Sequence, residues 1–585
     1  MTRPLRWWEY SLAIAVLLIV GVAALASARH QSITTDEIVH IPAGMSYLQL
    51  HDARMNPEHP PLMKVLAASP LVLGGLHLDY SLPHWTRTDD AFFGEEAFSE
   101  IGPSAARWIM ASRVPMIGVM LALGFTIFWM ARHLAGSAGG FLALLLFATT
   151  PFFYAYGPLV HTDIGIALFA LWATWTFVSV WNTPDWRHAI RFGLCLTAAL
   201  LTKFTSGLLL PCFVLLAVLL TLRMTPSSRN VVKRILFSLA GIIMAAVLVY
   251  LTYFFLFWDN DTASVLSYRF EHSVAPNPDM QQLALFLKAH PGLQHLLSPP
   301  IIYLLGVAHT LHALPRTSYL LGKIYPRGTP LYFPALFLYK MPLGFLLLTA
   351  LLCALALLSY AWRPRRPDTR GSGWNDYLSA LIVLLVVFSC ASFASPLNIG
   401  IRHFSVTTAT LTVLLGLLVP LSRRISRPVL RMATFALLVI AVLGDSVASA
   451  AAYPNFIPYF NPLVGKHPKF DVAIDSNLDW GQGLSAIEKF HEQHPADGLA
   501  FDLKGSIPAV YMPSGIPFDC AQGAPAGVEW AAIGATRFVN QPDLRQLGRL
   551  PALQCRDFFN YPYEVTAGGA VYIFRLPPSE ANKSD

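Results

Sequence analysis

Apolar residues in this chain come in long blocks, separated by short basic connections and by three long polar stretches. A helix needs about 20 apolar residues to cross a hydrocarbon layer of roughly 30 Å. The blocks predict about eleven such helices, near 10–28, 112–132, 137–156, 160–181, 192–206, 207–223, 235–257, 335–360, 377–394, 404–421 and 432–450. The first ends without a convincing small-x-small cleavage site before His30, and many more spans follow, so it reads as a retained helix. Residues 296–314 are also apolar, but Ser298-Pro299-Pro300 interrupts them and predicts a piece lying in the interface.

The polar stretches cover 29–111, 258–334 and 451–585. Loops of this length usually carry function. The last stretch predicts a small α/β unit, with strands at 470–475, 499–503, 529–533 and 570–575 and a helix at 484–494. On this reading the chain divides into a transmembrane domain, 1–450, and a C-terminal domain, 451–585.

Composition agrees with the pattern. The chain is 55% hydrophobic and 13% charged, too little polar surface for a soluble core of this size. Its net charge of +7 sits in short connections: Arg3 and Arg6, Arg132 and His133, Arg187 and Arg191, 223–234, 363–370 and 423–431. Short basic loops stay cytoplasmic. Asp36, Glu37, Asp52, Glu58, Asp89, Asp90, Glu95, Glu96 and Glu100 instead lie together between the first two spans. The N-terminus is therefore expected inside and the C-terminus outside, and the positive charge marks sidedness, with no nucleic-acid partner. Cys195, Cys212, Cys353 and Cys390 fall in predicted spans. Cys520 and Cys555 fall in the outward tail, where an oxidising compartment allows a disulfide.

Candidate chemistry gathers on the outward face. Thr34-Thr35-Asp36-Glu37 follows the first span. Its spacing is that of a capping box, with Glu37 reaching back to Thr34, and it holds carboxylates at the membrane surface. Asn56-Pro57-Glu58-His59-Pro60-Pro61 adds a second acid and a histidine to the same loop, and Asp163 opens the fourth helix. Lys203 ends the fifth helix, while Lys340 and the pair Arg402-His403 stand at other outward helix ends. Positive charge is disfavoured there and calls for a reason. His40, His59 and Glu58 form a candidate divalent-metal set, although the chemistry proposed below requires no cofactor.

The order of these motifs resembles the GT-C superfamily, most closely the bacterial protein-O-mannosyltransferase and aminoarabinose-transferase relatives. The residues that carry the resemblance are Asp36-Glu37, Glu58-His59-Pro60-Pro61-Leu62, Ser112-Arg113-Val114-Pro115, Thr162-Asp163, Leu200-Leu201-Thr202-Lys203 and Arg402-His403. Tyr459-Phe460-Asn461-Pro462 and the run from Asp475 to Gln482 resemble the tail of a bacterial subgroup. The aminoarabinose transferases typically have lysine at the place of His59 and often tyrosine at that of His403. The eukaryotic mannosyltransferases carry a mid-chain soluble domain that has no counterpart here.

The resemblance implies a polytopic α-helical, GT-C-like membrane protein of the bacterial inner membrane. It implies a polyprenyl-phosphate sugar donor, a glycan, lipid or protein acceptor, and inversion by single displacement. The catalytic candidates are Asp36, Glu37, Glu58 and Asp163, with Asp36 as the base that takes the acceptor proton. Lys203, Arg402, His403, Lys340, His59 and Arg113 are the candidates to bind the leaving phosphate, which departs as an anion and needs positive charge. Two other readings are a transporter or flippase of a lipid-linked sugar and a non-catalytic membrane scaffold. The first would place its binding groups near the midplane and often show repeat symmetry.

Overall fold

A computed structural model describes residues 6–224, 230–258, 260–271, 278–312, 316–361, 372–495, 498–503, 505, 507–511, 515–539 and 555–577. The first long helix is α1 (Trp7–Ala28), followed in the first polar stretch by α2 (Thr35–Gln49), α3 (Leu62–Leu73), α4 (Pro83–Thr86) and α5 (Asp90–Ile101). Next come α6 (Ala105–Thr149), α7 (Pro151–Tyr156), α8 (Asp163–Asn182), α9 (Trp186–Leu200), α10 (Leu209–Leu222) and α11 (Val231–Leu256). The second polar stretch holds α12 (Thr262–Glu271), α13 (Pro278–Ala289), α14 (Pro291–His312) and an antiparallel hairpin of β1 (Ser318–Leu320) and β2 (Lys323–Tyr325). The remaining bundle is α15 (Tyr332–Lys340), α16 (Leu343–Ala361), α17 (Ser372–Ala394), α18 (Ser405–Leu415), α19 (Leu418–Arg423) and α20 (Pro428–Ala452).

Among the described residues, eight helices are long and apolar enough to cross a membrane, or nine if the bent pair α15–α16 is one span. The chain is a multi-pass membrane protein. The predicted segments differ from these helices in several places, for physical reasons. Two of them fall in α6, which turns at Gly136, where φ is 77°. Phe128 then meets Phe141 at 5.0 Å, so the two arms run back along each other. The α9 helix has 15 residues, short of a full crossing. The helix expected over 335–360 is broken at Met341-Pro342, with a bend of 118° between α15 and α16. The expected interruption at Pro299-Pro300 is absent, because α14 runs through both prolines. The basic connection at 363–370 lies outside the described residues.

The tail contains α21 (Lys469–Val472), α22 (Leu484–Gln493), α23 (Pro508–Tyr511) and five strands: β3 (Leu499–Asp502), β4 (Ile516–Pro517), β5 (Trp530–Gly534), β6 (Tyr563–Thr566) and β7 (Val571–Arg575). Their order is β4-β3-β5-β7-β6, with β3 parallel to β4 and β5 and the β5–β7 and β7–β6 pairs antiparallel. The strand expected at 470–475 is instead the turn of α21 and a 3-10 turn at Asp475–Asn477. Phe470 serves an aromatic cluster with Phe538 and Tyr572 rather than a strand ladder. Cys520 and Cys555 are joined in a disulfide.

The tail is not a separate bead. Ile38, Met63 and Phe98 of the first polar stretch share a buried cluster with Leu484, Phe501 and Val571 of the tail. Phe147 and Trp175 of the bundle share another with Phe470 and Phe574. The polar regions thus gather at one end of the bundle. At the other end, Arg132 and Ser137 bond the buried Glu9 near the start of α1.

Candidate active site

Four side chains from four distant parts of the chain meet at the end of the bundle covered by the polar regions. Asp36 follows Thr35 at the start of α2, Asp163 begins α8, Lys203 follows α9, and Arg402 lies in the 3-10 turn Ile401–Phe404 before α18. Arg402 Nη1 donates to Asp36 Oδ2 at 2.5 Å and to Asp163 Oδ2 at 3.3 Å, and Nη2 reaches Asp36 Oδ1 at 3.4 Å. Lys203 Nζ donates to Asp163 Oδ1 at 2.5 Å. Two acids and two cations alternate in one chain. Buried charges persist when paired in this way. Asp163, Lys203 and Arg402 are all buried, whereas the Asp36 side chain keeps 19% exposure and forms the open edge of the cluster.

Local structure fixes each member. Thr34 and Glu37 form the expected capping box, with Thr34 N–H donating to Glu37 Oε2 at 2.9 Å. His161 Nε2 donates to the Tyr156 carbonyl at 2.6 Å while its Nδ1 accepts the Asp163 N–H at 3.1 Å, which sets the tautomer at the head of α8. Ser405 Oγ donates to the Asp163 carbonyl at 2.7 Å and ties α18 to α8.

The remaining candidates divide. Glu37 is turned away from Asp36 and completely buried against Arg113, which grips it through Nε at 2.8 Å and Nη2 at 2.6 Å. Arg113 also donates to the carbonyls of Ala28, Gln31 and Ser32. Neither residue of this pair faces the cluster, so both leave the list of catalytic and phosphate-binding candidates. Lys340 leaves it too: its Nζ donates to the carbonyls of Ile457 and Asn477, each at 2.6 Å, beneath the tail. Glu58 stands apart, with Oε1 at 3.4 Å from His309 Nε2 and 3.5 Å from Arg316 Nη2. The hydrogen bond from His309 is the main reason its carboxyl lies below the usual range, with Arg316 adding to it against burial.

His40 and His59 have their rings edge to face at 5.4 Å. The metal set does not converge among the described residues, because His40 Nδ1 is bonded to the Val160 carbonyl and Glu58 points to His309 and Arg316. Burial holds the His40 imidazole down to about 4 against the pull of Asp36. Burial and then the charge of Lys203 hold His59 well below its usual range. His59 Nδ1 and His403 Nε2 are buried nitrogens without a hydrogen-bond partner among the described residues, which leaves both available to a ligand.

Two contacts of the cluster were not legible from motif spacing. Ser476 Oγ accepts from Arg402 Nε at 3.3 Å, and the Trp480 ring lies 4.3 Å from the guanidinium carbon. The signal available was a dense polar run, Asp475-Ser476-Asn477-Leu478-Asp479-Trp480-Gly481-Gln482, whose residues turn out mostly buried.

A family model described as dolichyl-phosphate-mannose-protein mannosyltransferase matches residues 107–254. A solved S. cerevisiae protein O-mannosyltransferase, the Pmt1-Pmt2 complex bound to the sugar donor, superposes with a TM-score of 0.55 over 77% of this chain and 90% of that one, at 11% identity. This chain has the GT-C fold. ArnT of Cupriavidus metallidurans bound to undecaprenyl phosphate is similar over 97% of this chain and 98% of its own, with a TM-score of 0.46 and 13% identity. AglB of Archaeoglobus fulgidus, in complex with an inhibitory peptide and a dolichol-phosphate, is similar over 90% and 70%, with a TM-score of 0.44 and 12% identity. No curated protein matches the sequence. In this GT-C chain the acid–cation cluster lies where the starts of α2, α8 and α18 meet the end of α9, beneath the tail.

Proposed function

We propose that this protein moves a sugar from a polyprenyl-phosphate carrier to an acceptor hydroxyl, on the extracytoplasmic face of the bacterial inner membrane. The observation that carries the reading is the Asp36–Arg402–Asp163–Lys203 chain at one end of a GT-C bundle. A lipid phosphate leaves as an anion, so the site needs fixed positive charge and no acid. Lys203 has two further N–H groups beyond its bond to Asp163, and Arg402 retains one on Nη2. These donors, with the unpartnered nitrogens of His59 and His403, suit a phosphate. Asp36, the open member, takes the acceptor proton as the hydroxyl attacks the sugar carbon from the side opposite the phosphate. Asp163 holds Lys203 and Arg402 apart and in place.

The test uses the full chain in nanodiscs with undecaprenyl-phosphate mannose, glucose and aminoarabinose, and membrane extracts as acceptors. Release of undecaprenyl phosphate from one donor, dependent on acceptor and lost in Asp36→Asn, is the expected result. Movement of the donor between leaflets of sealed vesicles without any release would overturn it in favour of a transporter.

A further inference from the structure

We propose that residues 476–482 of the tail are a clamp that sets the position of Arg402 against Asp36, with Trp480 as its positioning residue. Asp36 and Arg402 lie on elements far apart in the chain, yet one seven-residue segment holds both. On the Arg402 side, Ser476 Oγ accepts from Arg402 Nε at 3.3 Å and donates to the Ile399 carbonyl at 2.9 Å. Asn477 Oδ1 accepts the Ile401 N–H at 2.9 Å, and the Trp480 ring covers one face of the guanidinium at 4.3 Å. On the Asp36 side, the Trp480 carbonyl accepts the Thr35 N–H at 3.0 Å, immediately before Asp36. Ser32 donates from its N–H to the Gln482 carbonyl at 3.2 Å and from its Oγ to the Gly481 carbonyl at 2.9 Å. Trp480 therefore touches both partners, the cation with its ring and the acid's helix with its backbone.

The clamp has its own internal bracing. Gln482 Oε1 accepts the Trp480 N–H at 2.7 Å while its Nε2 donates to the Leu478 carbonyl at 2.8 Å, which closes the turn. Tyr156 Oη donates to the Ser476 carbonyl and Lys340 Nζ to that of Asn477, which fix the segment to the bundle. Thr536 bonds Asp479 from the sheet side. A ring over the guanidinium face leaves the in-plane N–H groups free to bond a ligand, and excludes water from that face. Trp480 thus presents Arg402 edge-on to the open side, where Asp36 lies.

The kinetic part of the test rests on the proposed transfer reaction, and the exchange part on geometry alone. In full-length protein in nanodiscs, Trp480→Leu should lower kcat with the undecaprenyl-phosphate sugar that wild type uses by about tenfold, with the donor KM within about twofold. Trp480→Phe, which restores a ring, should recover most of the loss. Gln482→Leu should make the amides of Ser32 and Thr35 exchange with deuterium at least about tenfold faster while those in α8 stay unchanged. Wild-type kcat in Trp480→Leu, or a Trp480→Phe as slow as it, overturns the positioning role. Unchanged exchange at Ser32 and Thr35 overturns the clamp. If wild type turns over no donor, the transfer reading fails and the exchange result alone decides the clamp.

Discussion

Asp36 and Glu37 are neighbours, each pairs with an arginine from a distant part of the chain, and the two pairs end in opposite conditions. Arg113 makes five hydrogen bonds, two to Glu37 and three to backbone carbonyls, so every guanidinium N–H is used. Glu37 accepts further from the Thr34 and Val160 N–H groups and has no exposed surface. Arg402 has four bonds, three of them long at 3.3–3.4 Å, and an N–H of Nη2 with no partner among the described residues. Its partner Asp36 keeps an open edge. A saturated buried pair has nothing left to offer a substrate, and removing either half strands a buried charge. An unsaturated pair at an opening can exchange a protein contact for a ligand contact. The first pair holds α2 to α6, and the second keeps an N–H and an open edge for a ligand.

The sharpest way to break this contrast is Asp36→Asn. Asparagine keeps the shape and cannot take a proton, while Arg402 retains Asp163. Turnover should fall by about 10²–10⁴-fold, with the melting temperature within a few degrees of wild type. Single-turnover transfer and thermal unfolding in detergent measure the two. Wild-type turnover would reduce Asp36 to an ion-pair partner.

Glu37→Gln should do the reverse. It leaves Arg113 buried without its counter-charge, at a cost of about 3–5 kcal/mol, so the folded fraction and melting temperature should drop. Whatever protein folds should keep its turnover per molecule. Burial alone would raise the Glu37 carboxyl, but the charge and hydrogen bonds of Arg113 outweigh it and bring it below its ordinary 4.5. The stabilising contribution is therefore complete above that ordinary value and lost as pH falls through the lowered one. Acid sensitivity below about pH 4.5 should be weaker in Glu37→Gln than in wild type. Equal sensitivity would show that other carboxylates control acid unfolding.

Gly400→Ala probes the other pair through its support. A Cβ at Gly400 would collide with Ser476 Oγ, forcing the turn that carries Arg402 away from the tail. Overpacking of this kind costs about 1–3 kcal/mol, and a displaced Arg402 should slow transfer more than it weakens folding. Ser476→Gly in the same chain removes the clashing hydroxymethyl and should restore part of the rate; no restoration would place the damage elsewhere.

Much of the cluster was legible in the sequence. Lys203 and Arg402 stood out because positive charge at outward helix ends requires a reason, and Asp36 and Asp163 because they open helices on the same face in motifs that resemble the GT-C ones. Neither signal could separate Asp36 from Glu37: successive helical residues point about 100° apart, and which one faces the cleft depends on where Arg113 arrives from. The same limit misplaced Lys340, an outward lysine whose role is to bond the carbonyls of Ile457 and Asn477. The eleven apolar segments were visible as hydropathy, but the bend at Met341-Pro342 and the turn at Gly136 depend on packing partners. The part of the site supplied by Ser476 and Trp480 was hidden for a further reason. Its polar residues read as turn chemistry, and nothing in spacing tells that a turn is buried against a helix pair more than 70 residues upstream.

A smaller effect sharpens the comparison by adding a buried cation that has no carboxylate in contact among the described residues. Lys64 is fully buried, and its Nζ donates to Tyr47 Oη at 2.8 Å and to the Asn56 carbonyl at 2.6 Å. Burial brings it down to about 7 from an ordinary 10.5, with the more distant Asp90 and Glu58 pulling the other way. Between those two values the unfolded chain binds more protons at this position than the folded one. Stability should therefore rise with pH from about 7 towards 10.5, by no more than about 1.4 kcal/mol per pH unit. Below about 7 both states are protonated and the slope disappears. Arg113, saturated by Glu37 and three carbonyls, contributes no such slope because arginine stays charged throughout. Lys64→Met removes the titrating group while keeping much of its volume, so its melting temperature should change less between pH 7 and 8.5 than that of wild type. Thermal unfolding of both proteins at the two pH values checks this, and the difference between them isolates Lys64 from every other group that titrates in the window. Identical slopes would mean that Lys64 keeps its proton when buried, held by Tyr47 and Asn56 as firmly as Arg113 is held by Glu37.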